Sequence, residues 1–407
     1  MLEELLIQMM GLQGHYVEKV EMKDGILHIW FQPTVRLLTC PHCGRGTASI
    51  HSQWTVSLSE RPILGHPATL HLPHFRIRCE CQSKPVGVAP CVQDDDFLVT
   101  RRLADEVPRM AKETPIKLTA ALLGLHWNTA RDIDLRHLKK RIDAIEPVAP
   151  NSIGVDEVSY HKGHQYLTIV SDHSSHRIVY VAKGRKSENL KEFFEKRCDP
   201  LAAKRLEAAS IDMWDPYEKT IRECAPQAMI VYDKFHLLRM LNECVDGVRK
   251  HEQARLSGEG RKLLKHKRFL LLKGQERLRP DQQQSLKELL EQNRSLHSAH
   301  LLKEQFRQMY SIEQDESDPP ASCVQKAFQY LAGWIERASE SGLAPFASFV
   351  KRVKKRWAGI LNYFRYPITN GLSEGLNNKI SSLKKRAYGF RNLEYFMLKI
   401  YQQGGLI

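Results

Sequence analysis

The middle of the chain alternates between short apolar runs and amphipathic stretches. Three runs rich in β-branched residues begin at Ser152, and the short polar turns between SIGVDEVSY, QYLTIVSD and RIVYVAKG predict an antiparallel meander. A helical stretch (SENLKEFFEKRC), a short strand (LEAASIDMW), a second helix (EKTIRECA) and a buried strand (AMIVYDKFH) follow. This order predicts a mixed α/β sheet, and open sheets of this kind bind ligands at their strand ends.

The first 150 residues predict two smaller units. Asp24-Gly25 lies between the alternating halves of HYVEKVEMKDGILHIWF, which is a signal for a β-hairpin. From residue 100 to 142 the pattern becomes helical, and Ala120, then Gly124, then a polar-fronted helix predict a helix-turn-helix. The side chains that this second helix would present first to the major groove of DNA are Asn128, Thr129 and Arg131.

Beyond His236 the pattern is almost entirely helical as far as residue 366, with breaks at Ser-Gly, Gly and Pro-Pro. The sheet is therefore predicted to be interrupted by a helical insertion. The tail ITNGLSEGLNNKI begins at an Asn-Gly break and continues into a polar helix.

Charge indicates the kind of partner. The 407 residues include 61 Lys and Arg against 47 Asp and Glu, a net charge of +14. Residues 351–391 hold eleven of the basic residues and one acid, Glu374, whereas a solvated helix face usually carries both signs. This run favours a surface for the phosphates of nucleic acid. No apolar run reaches the ~18 residues of a membrane span and the N terminus does not resemble a secretory signal. We therefore expect a cytoplasmic protein without a membrane partner, nucleoid-associated when bound to DNA.

Five of the nine cysteines fall between residues 40 and 91, and this clustering favours a metal site over disulfides in an intracellular chain. TCPHCG supplies Cys40 and Cys43, and RIRCEC supplies Cys79 and Cys81, so two thiolate pairs predict one structural Zn²⁺ in a zinc ribbon. The second pair has the spacing C-x-C rather than C-x2-C. Alternatives for one ligand are Cys91, His42, His71 and His74, and the pairs could also be unrelated buried thiols.

Three acids stand out among the polar residues. Asp156 in IGVDE and Asp212 in SIDMW are predicted to end apolar strands, where a lone carboxylate is costly to desolvate. Glu374 is the acid of the basic run. Taken singly, Asp156 and Asp212 are explained as cap or turn residues, whereas Glu374 is harder to explain as a helix cap. Together the three acids predict a site for two Mg²⁺ (or Mn²⁺) ions. The competing acids are Asp215 and Asp233.

The same segments resemble a known family. GVDE with HKGHQY, IDMWDPY, YDKFH, and TNGLSEGLNNKI followed by KKRAYGFRN closely resemble the DDE transposases of the bacterial ISL-three insertion-sequence family. The predicted zinc ribbon and helix-turn-helix also match that family's arrangement, so the resemblance covers nearly the whole chain. It implies an RNase H-like catalytic domain and a catalytic triad of Asp156, Asp212 and Glu374. It further implies that Asp233 and His236 form the Cys/Asp-x2-His pair found beside the active site in related transposases.

The predicted fold is therefore a multidomain α+β protein, with a zinc ribbon and a helix-turn-helix before an RNase H-like mixed α/β sheet that an all-helical insertion interrupts. The predicted domains are an N-terminal β unit with the zinc ribbon (1–97), the helix-turn-helix (98–148), the first part of the catalytic domain (149–240), the helical insertion (241–362) and the C-terminal part of the catalytic domain (363–407).

The predicted function is DNA transposition. The protein would bind the terminal inverted repeats of an insertion sequence, cut them in a metal-dependent reaction and join the resulting 3′-OH to target DNA. Double-stranded DNA is the expected partner, and a homodimer is expected because two ends must be brought together. Phosphate contacts are predicted for Lys384, Lys385, Arg386 and Arg391.

Two other functions compete with transposition. A zinc-finger and helix-turn-helix regulator without catalysis explains the first 145 residues but gives the three acids no task. An RNase H-like structure-specific nuclease shares the catalytic site but does not need domains that recognise DNA ends.

Overall fold

The computed structural model describes residues 2–34, 38–47, 49–161, 163, 165–257, 264, 267–312, 320–387 and 389–407. These residues form two compact units. The first contains residues 1–145, 382–402 and 407, and the second contains residues 146–381 and 403–406. Within the described ranges, the helices are too short or too polar to cross a membrane. The domain boundaries given above stay a prediction.

The first unit begins with a helix and a twisted sheet. Its elements are α1 (Leu2–Met10), β1 (His15–Lys23), β2 (Ile26–Pro33), β3 (Leu38–Thr39), β4 (Gly46–Thr47), β5 (Ile50–Ile63), β6 (His66–Ile77) and β7 (Val86–Val88). The larger sheet has the order β1-β2-β6-β5, with β7 paired to β6, while β3 and β4 pair with each other. The predicted hairpin at Asp24-Gly25 is confirmed, and both residues have the positive φ (51° and 78°) that the tight turn between β1 and β2 requires.

Three helices complete the first part of this unit. They are α2 (Arg101–Glu113), α3 (Ile116–Leu122) and α4 (Trp127–Asp143). The predicted helix pair around Gly124 is confirmed, and this glycine has a φ of +67° in the turn between α3 and α4. The helices pack through small and aliphatic side chains, because Ala120, Ala130 and Ile133 are almost fully buried.

The second unit is built on a mixed sheet. Its first elements are β8 (Ser152–His161), β9 (Gln165–Asp172), β10 (Arg177–Lys183), α5 (Ser187–Lys196), α6 (Pro200–Ala203), β11 (Ala208–Ile211), α7 (Asp215–Cys224) and β12 (Met229–Tyr232). The strand order is β10-β9-β8-β11-β12, with the first three strands antiparallel and β8, β11 and β12 parallel. The predicted meander and the order of strands and helices after it are therefore confirmed.

Helices follow the last strand, as the sequence pattern predicts. They are α8 (Lys234–Arg255), α9 (Arg268–Leu272), α10 (Pro280–Gln292), α11 (Arg294–Met309), α12 (Pro320–Glu340) and α13 (Ala344–Leu361). An aromatic cluster holds α11, α12 and α13 together, because Phe306 contacts Trp334 and Phe349 edge-on with ring centroids 4.8 and 5.5 Å apart. These three side chains are almost completely buried, and aromatic side chains of this size dominate the energetics of such a core.

The chain ends in α14 (Gly371–Arg386) and α15 (Leu393–Gln403). Within the first unit, α15 packs on α4 through a buried polar network. Tyr395 donates a hydrogen bond to Asp134 (2.6 Å), and the ammonium of Lys399 lies 3.3 Å from the same carboxylate and donates to the carbonyl of Ala111 (2.7 Å). Asp134 is fully buried and Lys399 is 4% exposed. Removing either charge would leave the other buried and unpaired, a loss of roughly 3–5 kcal/mol.

Candidate active site

The sheet of the second unit brings three aspartates to the same level. Register pairs join Val155 of β8 to Ile211 of β11, and Ile211 to Tyr232 of β12. Asp156, Asp212 and Asp233 are the next residues of the three strands. Because the strands are parallel neighbours, the three carboxylates lie side by side at the strand ends, where open sheets place their ligands.

The prediction that Asp156 ends its strand is wrong. β8 continues to His161, because β9 pairs with it beyond Asp156, at Glu157 and Val158. What ends at Val155 is the pairing of β8 with β11. Asp156 therefore lies inside β8, at the point where β8 separates from β11. In the parallel part of the sheet it is still level with Asp212, which follows the last residue of β11.

Two neutral donors orient the Asp156 carboxylate. The backbone N–H of Glu157 donates to Oδ1 (2.7 Å), and the side-chain amide of Asn377 donates to Oδ2 (2.7 Å). Burial, and next the negative charge of Asp212, raise the pKa of Asp156 to about 6. A buried carboxylate beside a second negative charge makes a site that a divalent cation would stabilise.

His236 connects Asp212 to the first turn of α8. Its Nδ1 lies 2.8 Å from Oδ2 of Asp212 and 3.0 Å from Nη2 of Arg239. One ring nitrogen makes both contacts, so it donates to the carboxylate when it carries a proton and accepts from Arg239 when it does not. His236, which the family resemblance suggested as a secondary residue, is therefore in position to orient Asp212.

Asp233 has a different environment from the other two aspartates. One of its oxygens accepts from the backbone N–H of His236, which caps α8, and the other accepts from the backbone N–H of Asn370, both at 3.1 Å. Asn370 in turn donates through its side chain to the carbonyl of Val155 (3.1 Å). Asp233 is 5% exposed, and burial raises its pKa. Its contacts tie β8, α8 and the start of α14 together.

Glu374 lies in the first turns of α14, and its side chain falls outside the described residues. Asn377 follows it by three residues, a spacing that puts both positions on the same side of the helix. The amide of Asn377 contacts Asp156, so α14 meets the first of the aspartates at this residue. Sequence reasoning missed Asn377 and Asn370, although both lie in the polar segment TNGLSEGLNN that was singled out for its glutamate.

Asp215, the competing acid, lies away from this cluster. It is the first residue of α7, it is well exposed, and it pairs with Lys355 (3.3 Å) and with Arg356 of α13. These two cations lower the pKa of Asp215, although burial opposes them. Its contacts are those of an ion pair between helices.

The four predicted zinc ligands lie together in the first unit. The sulfur atoms of Cys40, Cys43, Cys79 and Cys81 are all within 4.8 Å of one another. Cys40 and Cys81 are 3.6 Å apart, and Cys43 and Cys79 are 3.5 Å apart. Tetrahedral Zn²⁺ with Zn–S bonds of about 2.3 Å separates its sulfur ligands by about 3.8 Å, so the cluster has the dimensions of a four-cysteine site that could bind zinc.

A turn at the first cysteine pair prepares this cluster. Gly44 has a φ of +74° and donates its N–H to the carbonyl of Cys40 (2.9 Å). The backbone N–H of Cys43, followed by that of His42, holds the pKa of the Cys40 thiol at about 6. Cys91 lies elsewhere, with its sulfur 3.8 Å from the carbonyl of Gly11. The alternative ligands His71 and His74 contact other side chains of the sheet instead.

The residues predicted to contact DNA belong to the first unit. Asn128, Thr129 and Arg131 lie in the first turns of α4, where Arg131 donates to Asn128 (2.9 Å) and its guanidinium lies 5.2 Å from the ring of Trp127. Lys384, Lys385 and Arg386 form the last turn of α14, and Arg391 is exposed beyond it. Arg386 also donates to the carbonyl of Glu113 (2.9 Å). Their roles in DNA binding stay predictions.

Known proteins with similar sequences are transposases. Residues 153–400 match the family model for DDE transposases of the ISL3 (ISL-three) type, described as "Transposase". The chain is 32% identical to the transposase for insertion sequence element IS1001 of Bordetella parapertussis, over 98% of both chains. It is 29% identical over 300 residues to the transposase for insertion sequence element IS1557 of Mycobacterium tuberculosis, which is 67% of this chain and 64% of the relative.

Among solved structures, the Drosophila P element transposase strand transfer complex matches 77% of this chain and 93% of its own with 12% identity. The TM-score of 0.31 is too low to carry an argument.

Proposed function

The chain belongs to the ISL3 family of DDE transposases and is a DNA transposase, and from this premise we propose that Asp156, Asp212 and Glu374 catalyse the cutting and joining of DNA strands. The DNA would be the terminal inverted repeats of an insertion sequence and a target duplex. The observation that carries the proposal is that Asp156 and Asp212 lie side by side where the parallel pairing of β8 with β11 ends, with the Glu374-bearing helix α14 bonded to Asp156 through Asn377.

Enzymes of this family use divalent metal ions, and the donor set at the strand ends suits Mg²⁺. Carboxylate oxygens are the ligands that Mg²⁺ prefers. The raised pKa of Asp156 reflects its burial first and the negative charge of Asp212 next, and a bound cation would offset both. Asp156, Asp212 and Glu374 would hold two Mg²⁺ (or Mn²⁺) ions, which supply activation of the attacking oxygen and stabilisation of the leaving one.

The neighbouring side chains would keep this donor set in position. Asn377 orients Asp156 with a neutral amide, so the carboxylate keeps its charge. His236 contacts Asp212 from α8. Asp233 and Asn370 hold the backbone that carries these groups, which assigns Asp233 a positioning role. The strand order β10-β9-β8-β11-β12 supports the interpretation of this unit as RNase H-like.

The first unit would recognise the ends of the insertion sequence. A structural Zn²⁺ on Cys40, Cys43, Cys79 and Cys81 would stabilise the β unit. We propose that α4 enters the major groove with Asn128, Thr129 and Arg131, and that Lys384, Lys385, Arg386 and Arg391 contact phosphates. Two ends must be joined, so a homodimer is the natural assembly.

The test is a cleavage assay with full-length protein on DNA with and without the terminal inverted repeats, with and without Mg²⁺. Metal-dependent cutting at the repeats is expected, and substitution of Asp156, Asp212 or Glu374 by Ala should abolish it while binding to the repeats stays near wild type. Asp215→Ala is the matched control, because it removes an aspartate near Asp212 in sequence that lies outside the cluster.

Each competing function gives a different result. Binding without cutting would indicate a regulator. Cutting that ignores the repeats would indicate a structure-specific nuclease. Substantial cutting by one of the three alanine variants would remove that residue from the catalytic set.

A further inference from the structure

Two large aromatic side chains are exposed next to each other on the helical part of the second unit. Phe328 of α12 is 45% exposed and Trp357 of α13 is 46% exposed, and their ring centroids are 5.4 Å apart. They border a cleft of about 220 Å³. The cleft is lined by Phe328, Leu331, Ala332, Ile335, Lys354 and Trp357.

These two rings do not belong to the aromatic core of the same helices. Trp334 of α12 and Phe346 and Phe349 of α13 fill that core and are at most 2% exposed. Phe328 and Trp357 instead meet above Leu331, which is 2% exposed and forms the floor of the cleft. Exposed contiguous apolar surface of this kind marks a binding site more often than a scattered surface residue does.

The charge around the cleft favours a polyanionic ligand. The sequence of α13 contains five basic residues between 351 and 356 and no acidic residue. One of them, Lys354, lines the cleft and precedes Trp357 by one helical turn. Proteins bind single-stranded nucleic acid with an aromatic ring beside a basic side chain, because the cation contacts the backbone while the ring stacks on a base, and Trp357 with Lys354 has this arrangement.

The same stretch of α13 connects the cleft to the loop after Asp212. Lys355 and Arg356 pair with Asp215, three residues beyond Asp212. Arg356 also leaves the helical conformation (φ −125°, ψ 17°), so the helix is kinked immediately before Trp357. The helix that carries Trp357 is therefore ion-paired, within one unit, to the helix that begins three residues after Asp212.

We propose that the Phe328–Trp357 cleft binds an unpaired base of the DNA strand that is cut or joined at the acidic site. This inference rests on the proposed function, because it requires DNA at that site. A base inside a duplex has both faces covered by its neighbours, whereas an unpaired base offers a free face for stacking. The cleft is smaller than the about 300–1,000 Å³ of sites that enclose whole small molecules, so it suits one ring.

The test measures binding of full-length protein in buffer without Mg²⁺ or Mn²⁺, so that no cutting occurs and the structural Zn²⁺ stays in place. The probes are a short duplex with a single-stranded overhang that contains 2-aminopurine, and the blunt duplex of the same sequence. Wild type should bind the overhang DNA more tightly and quench the 2-aminopurine fluorescence. Trp357→Ala should weaken binding to the overhang DNA by about 5- to 150-fold and remove the quenching, with binding to the blunt duplex unchanged.

Three further variants separate stacking from other effects. Trp357→Phe should keep much of the quenching because it keeps an aromatic face. Lys354→Ala should weaken binding to the overhang DNA but keep the quenching of the bound probe, since it removes a phosphate contact and leaves both rings in place. Phe269→Ala is the matched control, because Phe269 is 69% exposed beside Arg268 in the same unit but does not border the cleft.

Two results would overturn the proposal. One is unchanged affinity and quenching in Trp357→Ala that is folded by circular dichroism. The other is a Trp357→Ala variant that still quenches the probe but sediments as a monomer where wild type sediments as a dimer. That result would assign the cleft to a second copy of the chain. A different result would contradict the proposed function. In that case wild-type protein would still quench the probe but would not cut DNA when Mg²⁺ is added.

Discussion

Replacing Asp156 by Asn removes a negative charge from β8 and keeps the shape of the side chain. The Asp156 carboxyl has a pKa of about 6 in the folded protein against the usual 3.8. Once it is ionised in both the folded and the unfolded state, this difference lowers the free energy of unfolding by roughly 3 kcal/mol. An Asn cannot accept hydrogen bonds at both terminal atoms, so the variant loses the bond from Glu157 or Asn377, or about 1 kcal/mol. We therefore expect Asp156→Asn to raise the free energy of unfolding by roughly 2 kcal/mol at neutral pH.

Linkage determines how this gain depends on pH. Below about pH 4 the Asp156 carboxyl is protonated in both the folded and the unfolded state, so the variant gains little. Between about pH 4 and 6 the unfolded chain releases the proton while the folded chain keeps it, so wild type loses stability as the pH rises. Above about pH 6 this loss is complete, and the variant should show its full advantage.

The assay is urea unfolding of the full chain, followed by circular dichroism in buffer without Mg²⁺ or Mn²⁺ at pH values on both sides of this interval. Asp143→Asn, at the exposed end of α4, is the matched control for the removal of one carboxylate and should leave the free energy of unfolding near wild type. Adding Mg²⁺ or Mn²⁺ should stabilise wild type and leave Asp156→Asn nearly unchanged. If the variant is no more stable than wild type at about pH 8 without these ions, burial of this acid does not destabilise the protein and the reasoning is refuted.

Three other predictions concern binding. Asn377→Ala should weaken Mn²⁺ binding measured by calorimetry, because Asp156 loses the amide that orients it. Asn378→Ala changes the exposed neighbour and should leave Mn²⁺ binding unchanged, so equal effects of the two substitutions would contradict this role for Asn377. Cys79→Ser should lower the zinc content of purified protein while Cys91→Ser leaves it near one ion per chain, and elemental analysis of both decides. Lys385→Ala should reduce the slope of log K against log salt by roughly 0.9 on specific and random duplexes alike, and an unchanged slope would mean that this lysine faces solvent.

Local patterns predicted much of the fold, because the elements involved are specified by neighbouring residues. Asp24-Gly25 has the positive φ that its hairpin turn demands, and the two cysteine pairs meet as their spacing suggested. The strands that carry Asp212 and Asp233 are apolar runs that end where the chain turns polar. For Asp156 the same reasoning was wrong, because pairing with β9 prolongs β8 beyond the acid.

What sequence reasoning missed depends on contacts between distant parts of the chain. Asn377 and Asp156 are 221 residues apart, and no local pattern relates them. Likewise, nothing in the sequence near Asp134 indicates that Lys399 and Tyr395 of the last helix will meet it. Polar side chains of this kind look like ordinary solvent-exposed positions until the fold brings their partners to them.

The types of donor around the acids suggest how the site serves its proposed chemistry. An arginine beside Asp156 would also satisfy the carboxylate, but it would neutralise the charge that must hold cations. The donors to Asp156 among the described residues are an amide and a backbone N–H, which fix its orientation and leave the charge in place. Lys355 and Arg356, which are close in the chain to the proposed base-binding ring, pair instead with Asp215, outside the cluster. Neutral groups thus orient the acid, while these two cations are paired with a carboxylate outside the cluster and leave the charge of Asp156 free to hold a metal ion.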